Sequence, residues 1–200
     1  MDDFRQEFES LFTLERLHRA HSKAAKGKRF RLETARFGTR LFESLQKIRE
    51  TVLAGTYAFG PYREFVLFDS KRRKIAVSPY PDRVVHWVLY EHLSPLFESA
   101  FIFDSYGNRK GKGTLPGVAR TREFMRSGQV SHVLKIDFSK YFFSILHEVL
   151  LSELAKKVTN PYLFDLLRKL VSSYRTRSEF DHLFATDSPY RTTVDKGMPI

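Results

Sequence analysis

Leu134-Lys135-Ile136-Asp137-Phe138-Ser139-Lys140-Tyr141-Phe142-Phe143-Ser144-Ile145 is the stretch around which the rest of the chain organises. His132 to Ile136 spell a short buried strand, because Val133, Leu134 and Ile136 are apolar and bulky. Asp137 stands where that strand runs out, and an aromatic cluster follows at once. A carboxylate at the end of a core strand must be solvated, hydrogen-bonded or bound to a cation, since burying it unpaired is costly. Two carboxylate-bearing strands side by side make a hard-cation site of the kind that carries phosphoryl transfer. The plainer reading is that Asp137 caps the helix behind it. Taken alone, the stretch favours the cap.

Composition narrows the partners. The 200 residues suffice for one large domain or a domain and a half, and 42% hydrophobic with 14% aromatic content supplies a true core. No run is long enough to cross a bilayer, and the acidic Met1-Asp2-Asp3 start is no signal peptide. The absence of cysteine removes disulfide frameworks and thiolate metal sites and fits a reducing, cytoplasmic setting. A net charge of +11 points to a polyanionic partner, most simply nucleic acid, with ribosomal-type or membrane-surface binding giving a similar charge.

Upstream, Phe4, Phe8, Leu11, Leu14 and Leu17 predict one amphipathic helix from about Asp3 to Ala25. It runs into Lys23, Lys26, Lys28, Arg29 and Arg31, a cluster that either complements the helix dipole or contacts phosphate. A second helix from about Glu33 to Ala54 carries Phe37, Leu41, Leu45, Ile48 and Val52, with Gly55 as its C-cap. Tyr62 to Asp69 and Lys74 to Val77 read as a β-hairpin with the consecutive cations Lys71 to Lys74 at its tip and return. Such a tip is either solvated, a guard for a sheet edge, or a means of bringing positive charge to a triphosphate.

Pro79-Tyr80-Pro81 breaks the chain, and Asp82 caps a helix that ends near Ser94-Pro95. His86 and His92 lie on it without a second metal ligand at useful spacing, so both read as satisfied or exposed. Asp104 to Gly113 is a glycine-rich basic loop opening a helix from about Thr114 to Arg126, suited to a phosphate or a nucleic-acid backbone. It lacks the spacing of a Walker loop. His147 to Lys157 and Pro161 to Tyr174 are two further helices. Arg175 to Asp187 is polar and irregular, Tyr190 to Val194 reads as a strand, and the chain stops at Lys196-Gly197-Met198-Pro199-Ile200, in what looks like an interrupted turn.

At this point the pieces resemble a family. Arg73 to His86 resembles the fingers motif of bacterial reverse transcriptases, and Phe103 to Gly113 resembles their next block. Asp137-Phe138-Ser139-Lys140-Tyr141-Phe142 is similar to palm motif A, and Gly197-Met198-Pro199-Ile200 to the opening of motif B. Blocks in the family's order, spanning about Arg29 to the last residue, are specific where any one alone is weak. The resemblance implies an α+β right-hand polymerase fold: a helical N-terminal region at 1–55, fingers at 56–130, and at 131–200 the start of a palm sheet packed on helices. The remaining palm and the thumb are absent from this reading.

Carried over by that resemblance, Asp137 would hold Mg²⁺, with Mn²⁺ as the alternative, and the backbone of Phe138 would lie beside the nucleotide's phosphates. Phe142 would be the steric gate where a ribose 2′-hydroxyl would sit, a task that suits a bulky aromatic. Arg73 and Lys74 would meet the triphosphate, with Lys71 or Arg72 as substitutes one register away, and Pro199 and Ile200 would line the nucleotide. Lys28, Arg29, Arg83, Arg109, Lys110 and Lys112 would contact nucleic acid. Ile200 departs from the common glutamine and looks like the diversity-generating retroelement class or neighbouring defence-linked groups, which implies looser nucleotide selection.

The implied activity is RNA-directed DNA polymerisation with an RNA template, a DNA primer and dNTP, no membrane, and an accessory protein or cognate structured RNA as a further partner. Two-metal transfer needs another carboxylate, which the family supplies in a Tyr-x-Asp-Asp turn, and no such sequence occurs here. The competing expectation is therefore a non-catalytic nucleic-acid-binding module, its binding salt-sensitive and indifferent to Asp137.

Overall fold

Phe8 and Leu17 cannot share one face of a straight helix, because nine residues amount to about two and a half turns. Both are buried, and the chain resolves the conflict by breaking. The computed structural model describes residues 3–68, 72–176 and 195–199, and of Arg72 the backbone only. In place of the one expected N-terminal helix stand α1 (Asp3–Leu11) and α2 (Leu14–Ala25), separated by Phe12, which is 0% exposed, and Thr13. Thr13 caps α2, its hydroxyl oxygen accepting the Arg16 N–H at 3.3 Å.

The second expected helix is likewise two, α3 (Leu32–Thr39) and α4 (Leu41–Leu53), with Arg40 between them at φ −126 and ψ 45. Gly38 and Thr39 are weak helix formers, and the Thr39 hydroxyl donates to the Arg36 carbonyl at 2.8 Å, closing α3 at that point. Gly55 adopts the left-handed conformation expected of a C-cap, φ +69. Cations from two other helices finish that end: Arg5 Nη2 donates to Leu53 O at 2.8 Å and Lys169 Nζ to Gly55 O at 2.6 Å.

The hairpin forms as expected. β1 (Arg63–Phe68) and β2 (Arg72–Val77) pair antiparallel, from Arg63 opposite Val77 to Phe68 opposite Arg72. They are the one sheet among the described residues. The tip at 69–71, the strand expected at Tyr190 to Val194, most of the polar stretch from Arg175 to Asp187, and Ile200 lie outside the described residues.

Helix α5 (Tyr80–Glu98) begins two residues before the expected Asp82 cap and carries Pro95 inside it. Asp82 sits in its first turn and is buried. Its carboxylate accepts the Tyr57 hydroxyl at 2.6 Å and the Gly60 N–H at 2.9 Å. Asp82 thus ties the 57–60 loop to α5 rather than capping the helix. The approach is close: a side chain on Gly60 would put its Cβ 2.8 Å from Pro79 Cγ.

Later come α6 (Thr114–Arg126), as expected, then α7 (Tyr141–Ser144), α8 (His147–Ala155) and α9 (Pro161–Ser172), the last two ending two residues earlier than the pattern implied. Asn160 caps α9 by accepting the N–H groups of Tyr162 and Leu163 at 3.1 and 3.2 Å. Its Nδ2 also donates to Phe4 O and Glu7 Oε2, each at 2.7 Å, so one buried amide both starts α9 and fastens it to α1. The core lies among α1, α2, α4, α5 and α9, where Leu17, Val84, Val85 and Leu163 are all but inaccessible.

Two compact units result: one of residues 1–93 and 140–200, the other of 94–139. In the second, the strand expected at His132 to Ile136 does not form. Those residues have no regular structure, and Val133, Leu134 and Ile136 are 77%, 82% and 70% exposed. A strand persists where a neighbour takes its backbone N–H and C=O groups, and among the described residues none flanks 132–136. The helix-cap reading of Asp137 also fails: α7 starts from Lys140, which is left-handed at φ 52 and makes no side-chain capping bond.

Candidate active site

Among the described residues, two of the expected substrate residues from distant parts of the sequence, Phe142 and Pro199, come near one another at the joint between α7 and the Gly197-Met198-Pro199 turn. The Met198 N–H donates to Phe142 O at 2.7 Å, and the Gly197 N–H to Ile145 O at 2.8 Å. The segment after α9 packs into the same joint. The Thr176 N–H donates to Lys196 O at 2.8 Å and its hydroxyl to Phe143 O at 2.9 Å. Leu146 and Lys196 form an isolated antiparallel bridge. Phe142 is therefore bonded through its carbonyl to Met198, the residue before Pro199, and remains 47% exposed with the Tyr141 ring edge-on at 5.6 Å. Phe143, the next residue, is buried.

Gly197 has a steric reason to be glycine. Its φ is +95, and a Cβ there would fall 1.7 Å from Thr176 Oγ1. His147 closes the joint from the first turn of α8. Its N–H donates to Asp195 O at 3.1 Å, and its Nε2–H donates to Gly197 O at 2.8 Å. A carbonyl can only accept, so the proton of the ring sits on Nε2. Arg175 pairs with Asp195 at 3.0 Å on the outer side.

The hairpin is braced by the same 173–176 segment. Tyr62, at its root, stands edge-on to Tyr174 at 5.2 Å and 3.4 Å from Ser173 Oγ. Burial pushes the Tyr62 hydroxyl above its ordinary range. Along the strands, Arg73 is exposed, whereas Lys74 pairs with Glu64 at 3.2 Å across the ladder. Arg83 is engaged by the protein itself: Nε donates to Ser78 O at 3.1 Å, Nη2 pairs with Glu33, and the guanidinium lies 5.3 Å over Tyr80. Lys28 and Arg29 stand exposed on the turn between α2 and α3.

In the second unit the basic loop is stitched by its own cations. Arg109 pairs with Glu98 at 2.7 Å and donates to the carbonyls of Ile102 and Ser105, each at 3.0 Å. Lys112 donates to Phe103 O at 2.8 Å and lies over that ring at 3.7 Å. Arg120 pairs with Asp104 at 3.0 Å and lies 4.4 Å over Phe124. Lys110 projects into solvent. Arg109 and Lys112 thus hold the loop in shape, and Lys110 is the cation it presents.

Asp137 and Phe138 belong to the same second unit and are exposed, Phe138 at 74%. A lone carboxylate is a suitable hard-cation donor but does not by itself hold an ion. Among the described residues no three His, Cys, Asp or Glu side chains converge into a metal site. His86 is neither satisfied nor exposed, in contrast to the expectation. It is half-buried against Phe59, its Nε2 has no partner among the described residues, and burial, with Arg83 nearby, pulls it down to about 4. Burial likewise raises the Asp82 carboxyl, against the pull of its bonds to Tyr57 and Gly60.

His147 and Thr176 had no local signal. Each matters through a partner at least 30 or so residues away, at Gly197 or Phe143, which no periodic pattern reports.

Two comparisons bear on this arrangement. The family model described as reverse transcriptase (RNA-dependent DNA polymerase) matches residues 68–200. That span takes in Arg73, Asp137, Phe142 and Pro199 and leaves Lys28 and Arg29 outside it. Protein YkfC of Escherichia coli (strain K12) is 25% identical over 139 residues, covering 67% of this chain and 36% of that protein. The chain therefore spans about a third of the length of this relative. With the match running from the hairpin through the clamped Gly-Met-Pro turn, the chain belongs to the reverse transcriptase (RNA-dependent DNA polymerase) family.

Proposed function

We propose that this chain supplies the nucleotide-selecting part of an RNA-directed DNA polymerase, which transfers a deoxynucleotidyl unit from a dNTP to a DNA primer 3′-hydroxyl on an RNA template. The observation that carries the reading is the 2.7 Å bond from Met198 N–H to Phe142 O, which fixes an exposed aromatic ring beside the Gly-Met-Pro turn in a chain of this family. In the proposed division, residues 1–55 are a helical support, 56–130 the fingers and 131–200 the start of the palm.

Phe142 acts as the wall against a 2′-hydroxyl. Pro199 and Ile200 form the adjoining surface, and Arg73 with Lys74 approaches the triphosphate from the hairpin. Asp137 contributes one carboxylate toward Mg²⁺ or Mn²⁺, and the backbone of Phe138 lies beside the phosphates. When bound, the ion supplies charge neutralisation at the transferring phosphate. Everything else in the reading is positioning by the chain itself, which is where most catalysis of phosphoryl transfer resides. Among the basic residues, Lys28, Arg29 and Lys110 are the direct nucleic-acid contacts. Arg83, Arg109 and Lys112 shape the surface that carries them.

Primer extension with the full-length protein tests this: dNTP incorporation that collapses in Asp137→Ala is the expected result, and incorporation that survives it sinks the assignment. The exposed cations favour one competing reading, a non-catalytic nucleic-acid-binding module. That module would show salt-sensitive binding, no incorporation, and no response to Asp137→Ala.

A further inference from the structure

His147 grips the Gly-Met-Pro turn at two points that bracket Lys196. Its backbone N–H holds Asp195 O at 3.1 Å and its side-chain Nε2–H holds Gly197 O at 2.8 Å. The imidazole is 4% exposed, so the Gly197 carbonyl it serves is out of reach of bulk water. One residue further, the Met198 N–H is bound to Phe142 O, so any shift of the turn is handed to the backbone that carries the exposed ring.

We infer that His147 is a specificity-determining positioning residue, which acts through Gly197 to set the spacing between Phe142 and Pro199 and hence the discrimination between dNTP and rNTP. The inference rests on the polymerase reading above.

The roles can be separated by chemistry. His147→Phe keeps a ring of similar volume but leaves the buried carbonyl without a donor. His147→Gln places an amide N–H near the position of Nε2 and keeps the donor. Thr176 supports the other side of the turn, and its bonds to Lys196 and Phe143 do not involve His147, so the joint has a second anchor and the ring substitution need not unfold it.

The test is steady-state and single-turnover incorporation by the full-length protein, with active molecules counted, alongside amide exchange at Met198. For His147→Phe the expected result is a KM for dNTP raised about tenfold, kcat within about twofold, and dNTP-over-rNTP discrimination lowered about tenfold. Faster exchange at Met198 should accompany these changes, and His147→Gln should restore all of them. A structural role alone would lower the active fraction and the melting temperature and leave KM and discrimination as they are. If the wild type polymerises and His147→Phe shows that pattern, the inference is overturned and the polymerase reading stands. A wild type that neither binds nor incorporates nucleotide overturns the polymerase reading, and the inference falls with it.

Discussion

Phe142 carries the most chemical consequence for its size. A hydrophobic wall excludes an added hydroxyl only where the fit is tight, and in the proposed reading the Phe142 wall is held in place by the bond from Met198 N–H to its own carbonyl. Phe142→Ala should therefore raise rNTP incorporation relative to dNTP by about 10- to 100-fold, the scale of one or two side-chain contacts, with dNTP turnover little changed. Competition between the two nucleotides in primer extension measures it, and an unchanged ratio would remove Phe142 from the gate. Phe142 was legible in the sequence as the sixth residue of an Asp-Phe-Ser-Lys-Tyr-Phe block. Its neighbours in space were not, because Met198 lies far along the chain.

At the scale of elements, the N-terminal helices are held by capping as much as by apolar faces. Asn160 starts α9 and binds α1, so Asn160→Ala should cost about 3 kcal/mol, a lost N-cap plus unmet buried acceptors. Asn160→Asp should cost at least as much at neutral pH, since it keeps the cap but sets a carboxylate against Glu7. Denaturant titration of both variants checks the pair. The basic loop offers a second contrast. Lys110→Gln should lower the salt slope of nucleic-acid binding by about one unit with the fold intact. Arg109→Gln should instead expose the 100–113 loop to protease, since that guanidinium holds two carbonyls and Glu98. Equal salt slopes for wild type and Lys110→Gln would exclude Lys110 from the interface.

For the whole molecule, the +11 charge and the buried titratable groups pull in different ways. Charge governs encounter with a polyanion. Burial governs the response to acid. His86 is held down to about 4, below the ordinary 6.5 of an unfolded chain, so between those values the unfolded state binds a proton that the fold refuses. Its contribution is thus whole above pH 6.5 and is lost as pH falls toward 4, by about 3 kcal/mol for a shift of this size. Urea midpoints across that window should fall for the wild type and fall less for His86→Phe. Parallel curves would show that another group sets the acid response.

Local rules settled the amphipathic stretches, the hairpin with its basic return strand, the glycine-rich loop opening α6, and the order of blocks by which the family is recognised. Each helix, strand, loop and single block among these depends on residues a few positions apart, and the order of the blocks is read directly along the chain. Tertiary structure alone decided where the long N-terminal patterns break, because Phe8 and Leu17, about half a turn out of phase, are both buried only if α1 and α2 part near Thr13. It also decided the role of Asp82, whose partners are Tyr57 and Gly60 rather than its own helix. The stretch from His132 to Ile136 shows the limit most plainly: its apolar run satisfies the pattern of a strand, but a strand is made by the neighbour that takes its hydrogen bonds. The clamp of Phe142, His147 and Thr176 on the Gly-Met-Pro turn has the same origin, contacts between distant segments that no period in the sequence encodes.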